Sequence, residues 1–338
     1  MSNQLSKLHQ WLQVQIGTEV FQLIPLTNDA SFRRYFRLTV NDTSYVVMEA
    51  PPEKENCVPF IEIAQRLQSN GLNVPQIIAS DLTSGFLLLS DLGDQLYLPA
   101  LTPKQADSLY ADAITALIIM QTRTSFQGLP LYDSQRLYQE MNLFTDWLLK
   151  THLNLSLSVE EHYEFKACFA YLTEQALSQP QVFVHRDYHS RNLMVVPTNN
   201  PGILDFQDAV KGPITYDLVS LLRDCYISWS PQQVTTWIKQ YYSQAQAAGL
   251  IKKTEIDFAT FLNWFDLMGI QRHLKASGIF ARLYRRDGKP GYLKDIPRTL
   301  KYIVENSGHD PKLAFLQEWV SQRVLPAYQA MEANRCEP

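Results

Sequence analysis

Three side chains in one short stretch could do chemistry together: Asp187, Asn192 and Asp205, in FVHRDYHSRNLMVVPTNNPGILDFQD (183–208). A carboxylate beside an acceptor hydroxyl takes its proton as the oxygen attacks. An amide oxygen and a second carboxylate are hard ligands suited to Mg²⁺, which keeps several waters and is held together with substrate phosphates. The residue types therefore suit a metal-assisted transfer to a hydroxyl, with Asp187 as base and Asn192 and Asp205 as ligands. Turn-capping by Asp187 and Asn192 would leave the third carboxylate and the flanking strands unexplained.

Groups that must converge are best carried on strand ends. Apolar residues run up to His185, and Leu193–Val196 and Gly202–Leu204 flank Pro197-Thr198-Asn199-Asn200-Pro201. The stretch reads as a hairpin that brings its polar residues to one cleft. His185-Arg186-Asp187, then Asn192, then Asp205-Phe206 repeat the H-R-D, N, D-F-G order of a phosphoryl-transfer template, with Gln207 where the glycine would stand.

Upstream, Leu5, Leu8, Trp11, Leu12 and Ile16 recur at helical spacing. Phe21–Leu26, Phe32–Val40 and Ser44–Ala50 read as strands, with a polar turn at 27–31 and a hairpin turn at Asn41-Asp42. Two strands joined by a small polar turn can lie over a nucleotide's phosphates with backbone N–H groups inward. The turn has no glycine. Ser31, Arg33 and Arg34 would supply hydroxyl and guanidinium donors instead, although each arginine reads equally well as a solvated strand residue. Pro59–Asn70 reads as a helix stopped by Gly71, and Pro75–Ala79 and Gly85–Leu89 as strands. The connector Leu87–Gly93 can offer backbone groups to an adenine edge, while an ordinary strand end is the plainer reading of its spacing.

From 103 to 180 the apolar pattern is helical, with stripes at Ala106–Leu117, Leu143–Leu148 and Phe165–Leu177. A strand-rich lobe (1–92) thus precedes a helical lobe (93–338), an α+β class. Gly212-Pro213 and the apolar run to Leu222 predict a turn into a buried helix. Asp217 at its start either accepts that helix's N–H groups or holds the 185–192 loop; a structural role is preferred over direct chemistry. Asp224 has no placement from sequence. Residues 231–250, 255–285 and 311–331 read as further helices, with Trp264, Phe265 and Met268 as core.

The 338 residues are 46% hydrophobic and 19% charged, a globular balance with room for two lobes. The net charge of −4 gives no global nucleic-acid signal. Four dispersed cysteines argue against a zinc site or a disulfide framework and for a reducing compartment. Without a signal-peptide core or an apolar run of about 18 residues, a cytoplasmic protein with no membrane partner is expected.

The chain resembles the aminoglycoside phosphotransferase family, a branch of the protein-kinase-like fold, and within it the bacterial anomeric sugar kinases of cell-wall recycling, which act on N-acetylmuramate and N-acetylglucosamine at C1. DASFRRYFRL (29–38), VHRDYHSRNLM (184–194), GILDFQDAVKGPITYDLVSLLRD (202–224) and QRHLKASGIFARLYRRDGK (271–289) carry the resemblance. It implies a two-lobe fold, ATP and Mg²⁺ as cofactors, Asp187 as catalytic base, and Asn192 and Asp205 on the metal. Ser31, Phe32, Arg33, Arg34 and Tyr35 would cover the phosphates, Ser90 and Leu92 would meet adenine through their backbone, and Asp217, with His185, would brace the catalytic loop. Met48 stands where the family carries a phosphate-binding lysine, beside Glu49, so Lys54, Arg33 or Arg34 must supply that charge. The short Asp205–Asp217 segment leaves no room for an activation loop, which favours a small-molecule acceptor.

Between Ile270 and Lys301 nine Lys or Arg face only Asp287 and Asp295. Bordering an acceptor site, that segment would repel polycationic aminoglycosides and attract an anionic sugar such as N-acetylmuramate, with its lactyl carboxylate; equally, it is a solvated face. Asp224, Arg272 and His273 are the candidate acceptor contacts. Phosphorylation of an aminoglycoside or another metabolite stays open, as does a catalytically silent nucleotide-binding protein on the same fold.

Overall fold

Asn41 and Asp42 both take positive φ, 44° and 65°, the backbone a two-residue hairpin turn demands and one these two residues tolerate. They join two strands, β2 (Arg34–Val40) and β3 (Thr43–Glu49), in the computed structural model, which describes residues 2–26, 32–252 and 254–336. The chain forms two compact units, 1–96 with 193–208, and 97–192 with 209–338.

The first unit is built on a five-stranded antiparallel sheet. With β1 (Gln22–Pro25), β4 (Ile77–Asp81) and β5 (Phe86–Ser90), its order is β1-β2-β3-β5-β4. Alternation puts Phe36 and Leu38 of β2 on one face, where they meet Leu8 and Leu12 of helix α1 (Ser2–Ile16) together with Val47, Phe86 and Leu88. Helix α2 (Val58–Ser69) has a proline in its first turn and buries Phe60, Ile63, Ala64 and Leu67 at helical spacing; Gly71, at φ 80°, follows its end. Gly85 has φ 74° and a hypothetical Cβ would sit 1.8 Å from the Ala50 carbonyl oxygen, so no side chain fits there.

The second unit opens with the short helix α3 (Tyr97–Ala100), followed by α4 (Ala106–Arg123), α5 (Ser134–Leu143), a π-helical segment Phe144–His152 and α6 (Val159–Leu177). Strand β6 (Gln181–Val184) leads into the loop that carries Asp187. The next strands, β7 (Leu193–Met194) and β8 (Gly202–Ile203), pair as the expected hairpin and belong to the first unit, where the Val195 N–H bonds the Gln95 carbonyl and the Ile203 N–H the Asn73 carbonyl. Strand β9 (Val210–Pro213) returns antiparallel to β6, and α7 (Tyr216–Leu222), buried along its whole length, follows it.

The rest is helical: α8 (Pro231–Ala247), α9 (Phe258–Asp287), α10 (Ile296–Ser307), α11 (Ala314–Trp319) and α12 (Leu325–Cys336). The 30-residue α9 is the axis of this unit. Its Ile270 and Leu274 share a core with Phe144, Phe165, Phe169, Leu300, Ile303 and Leu316; each such aliphatic side chain contributes about 1.5–3 kcal/mol. Gly278 permits the close approach of α9 to the π-helical segment, since a Cβ there would lie 2.2 Å from the Leu143 carbonyl carbon.

Three readings of the sequence are corrected. Helix α10 lies in what read only as a basic run. The single helix expected over 311–331 is a 3₁₀ turn, α11, a π turn (Val320–Val324) and α12, because Pro326, without an N–H, interrupts the regular ladder. Of the three residues read as core, Phe265 and Met268 are buried and Trp264 is only half-buried.

Candidate active site

In the second unit the 185–192 loop is tied down at nearly every residue. Asp217, fully buried in the first turn of α7, accepts the His185 N–H at 2.7 Å and the Arg186 N–H at 2.9 Å. Burial pushes its carboxyl up to about 7 while those two donors pull the other way. Arg186 has φ 79°, left-handed backbone that a non-glycine residue rarely adopts, at a cost of about 1–3 kcal/mol. The Asp217 grip and a 2.7 Å bond from the Arg186 guanidinium to Glu140 hold it there. The His189 N–H and the Asn192 side-chain NH₂ both donate to the Asp187 carbonyl at 3.0 Å. Asp224 accepts both the N–H and the hydroxyl of Ser190, and also the Tyr226 N–H at 3.0 Å.

Glu140, on α5, is a group the sequence reading missed. Besides Arg186 it pairs with Lys275 at 3.1 Å and accepts the Tyr132 hydroxyl; Lys275 also donates to the Tyr216 hydroxyl at 3.0 Å. Burial drives the Asp187 carboxyl up, but Lys275, His189, Arg186 and Arg272 overcome it and hold the group near 2. Asp187 is therefore ionised at neutral pH, as a base must be. A readable sign existed: Glu140 lies between Leu137 and Phe144, and Arg272 and Lys275 continue the spacing of Met268, so charges interrupt buried helical stripes.

The basic segment of 270–301 does not form one face. Arg272 and Lys275 are buried, Arg272 donating to the Cys225 sulfur at 3.4 Å, whereas Arg285, Arg286, Lys294 and Lys301 are exposed. His273 does not fit the expected sugar contact. It is fully enclosed, stacks on Tyr302, and has its ring nitrogens against the Gly269 and Arg223 carbonyls at 2.6 and 3.0 Å.

The nucleotide candidates lie in the first unit. Ser31 and the polar turn at 27–31 lie outside the described residues. Phe32 is exposed, with its N–H 3.3 Å from Glu55 and Lys54 over its ring. Arg33 pairs with Glu55 at 3.2 Å; Arg34 bonds Glu49 at 2.6 Å across the β2–β3 ladder. Met48 is fully buried and pairs with Tyr35 and Leu87 on the neighbouring strands. Burial pushes the Tyr35 hydroxyl up to about 12. Ser90 donates its N–H to the Gln76 carbonyl and accepts the Gln76 N–H, both at 2.9 Å, and Leu92 would meet a Cβ on Gly202 at 2.9 Å. Asp205 has φ 62°, its carboxylate accepting the Gln207 amide at 2.7 Å, and the buried Phe206 ring packs on Phe60 of α2.

Residues 22–250 match the model of the Phosphotransferase enzyme family. A Pseudomonas aeruginosa protein named N-acetylmuramate/N-acetylglucosamine kinase is 48% identical over 88% of this chain and 87% of its own length. A Pseudomonas putida protein of the same name is 46% identical over 95% and 92%. Among solved structures, a choline kinase from Streptococcus pneumoniae has a TM-score of 0.61 at 12% identity, covering 88% of this chain and 99% of that one. An ADP-bound aminoglycoside phosphotransferase has a TM-score of 0.59 at 18% identity, covering 89% and 98%. The fold is thus α+β and protein-kinase-like, with a small antiparallel-sheet lobe and a larger helical lobe.

Proposed function

We propose a substrate and a reaction for this chain, which belongs to the phosphotransferase enzyme family: transfer of the γ-phosphoryl group of ATP to the anomeric hydroxyl of N-acetylmuramate or N-acetylglucosamine. Family membership makes the protein a nucleotide-using kinase with an alcohol group as acceptor and a small molecule as substrate. The observation that carries the reading is the braced loop 185–192, which keeps an ionised Asp187 in place. The acceptor is supported by the shared name of the relatives, which extend over most of the chain.

Residues 1–92 are assigned to the nucleotide and 93–338 to catalysis and the acceptor. Asp187 takes the C1 hydroxyl proton as the oxygen attacks phosphorus. Alignment and charge neutralisation supply most of the rate, because the loose transition state needs little covalent help. Asn192 and Asp205 fit Mg²⁺ by donor type. The Asn192 side-chain nitrogen donates to the Asp187 carbonyl, and its amide oxygen is the donor type that would hold the ion. When bound, the ion neutralises charge on the transferring group. Ser31, Phe32, Arg33, Arg34 and Tyr35 are assigned to the phosphates, Ser90 and Leu92 to adenine through their backbone, and Met48 to the apolar floor. Asp217, His185 and Asp224 act on the loop, and Arg272 on the charge of Asp187.

We place the protein in the cytoplasm, where ATP is at hand; no helix among the described residues is long and apolar enough to cross a membrane. The test is an ATP-consumption panel of amino sugars, aminoglycosides and choline, with and without Mg²⁺, read by phosphorus NMR for an anomeric phosphate. Consumption confined to an aminoglycoside or choline, or none with any amino sugar, refutes the reading.

A further inference from the structure

We propose that the His189 imidazole donates from Nε2 to the acetamido carbonyl of the acceptor sugar, and that Tyr226 holds the ring for that contact. The proposal rests on the amino-sugar reading and names the residue that selects its 2-acetamido group. The His189 N–H donates to the Asp187 carbonyl at 3.0 Å, a tight turn that keeps the two residues together. Their side chains are near enough for each to act on the other's charge. His189 is half-buried, and its Nδ1 is enclosed with no hydrogen-bond partner among the described residues. Nε2 has no partner among them either and, unlike Nδ1, it is open to solvent. A buried N–H without an acceptor is the rarer kind of orphan, which assigns the ring proton to Nε2 and turns a donor toward the open side.

The imidazole is firmly seated. It meets the Tyr226 ring edge to face, with centres 5.4 Å apart and an interplanar angle of 80°. One buried carboxylate sets both partners: Asp224 accepts the N–H of Ser190, the residue after His189, at 2.9 Å and the N–H of Tyr226 at 3.0 Å. The Tyr226 ring is held in turn, with the Arg191 guanidinium carbon 4.7 Å from its centre and the Phe280 ring at 6.1 Å. A fixed donor without an acceptor in the chain, two residues from the base, points to the substrate as its partner. Of the neutral groups on an amino sugar, the amide carbonyl is the strongest acceptor. It hangs from C2, the carbon next to the attacked hydroxyl, in N-acetylmuramate and N-acetylglucosamine alike.

The experiment measures kcat/KM of the intact protein and of H189F and H189N with N-acetylmuramate and N-acetylglucosamine, each beside its N-thioacetyl analogue. Sulfur in place of the carbonyl oxygen keeps the N–H and the methyl but accepts a hydrogen bond poorly. Wild type is expected to favour the oxygen compound by about fivefold or more, the scale of one neutral hydrogen bond. H189F keeps a ring against Tyr226 without a donor and should bring that ratio to within about twofold of one; H189N keeps an N–H donor on a shorter arm and should fall between. The ratio is internal to each protein, so loss of stability alone does not move it. An oxygen-to-sulfur ratio that is the same in H189F as in wild type overturns the proposal. So does a wild type that turns over the sugars without distinguishing oxygen from sulfur, and the amino-sugar reading then stands. Wild type that phosphorylates neither sugar overturns that reading and this proposal with it.

Discussion

Replacing Glu140 by glutamine keeps the shape of the side chain and removes its charge, which leaves the buried Lys275 and the partly buried Arg186 without their shared counter-charge. Two unit charges about 4 Å apart at an effective dielectric of about 20 attract by roughly 4 kcal/mol. Desolvation offsets part of this, and breaking one side of a buried pair costs about 3–5 kcal/mol. For a unit of this size that lowers Tm by roughly 6–20 °C, at 2–4 °C per kcal/mol. Activity should fall as well, because Arg186 loses the bond that holds its left-handed backbone one residue before Asp187. The assay is thermal melting and urea unfolding followed by circular dichroism, with kcat and KM measured well below the variant's Tm. Removing Lys275 in the E140Q background, as K275M, should cost less than it does alone, with a coupling above about 0.5 kcal/mol. A Tm within about 2 °C of wild type, together with unchanged kcat, would refute the reasoning.

D187A should lower kcat by about 10²–10⁴-fold with little change in KM, the signature of a group acting in the transition state; a large rise in KM at constant kcat would move Asp187 to binding. G278A forces a methyl to within 2.2 Å of backbone and should destabilise by about 1–3 kcal/mol or more, read as a shifted urea midpoint. His273 is held near 3, because burial and the charges of Arg272 and Arg223 disfavour its cation, whereas in the unfolded chain it takes a proton near 6.5. Between those values only the unfolded state carries the proton, so stability should fall with pH by about 1.4 kcal/mol per unit, starting near 6.5. In H273Q that share of the slope should vanish; identical slopes for variant and wild type would contradict the burial argument.

The local signals were legible because their physics is local. Asn41-Asp42 announces a two-residue turn, and the Pro197–Pro201 cluster announces the β7–β8 hairpin. Partners distant in sequence were not legible. Nothing in the Ser134–Leu143 helix names Lys275 or Arg186 as the partners of Glu140; only a carboxylate in an apolar stripe hints that one exists. Charge counted along 270–301 misled, because a helix turns successive residues to different sides. Arg272 and Lys275 point inward, Arg285 is exposed but reaches back to His152, and Arg286 is exposed. The sugar contact expected of His273 was lost for a related reason, since two backbone carbonyls occupy its ring nitrogens.

The path of the chain has a consequence for how the protein is made. The β7–β8 hairpin that completes the first unit is encoded about a hundred residues after that unit's other strands, beyond α4, α5 and α6. While the protein leaves the ribosome, the Asn73 and Gln95 carbonyls wait for donors that are not yet synthesised. A nascent chain stalled before residue 193 should therefore show a less protected N-terminal sheet than one stalled after 208, and swapping the first unit between relatives by exchanging residues 1–96 alone would divide that unit instead of transplanting it.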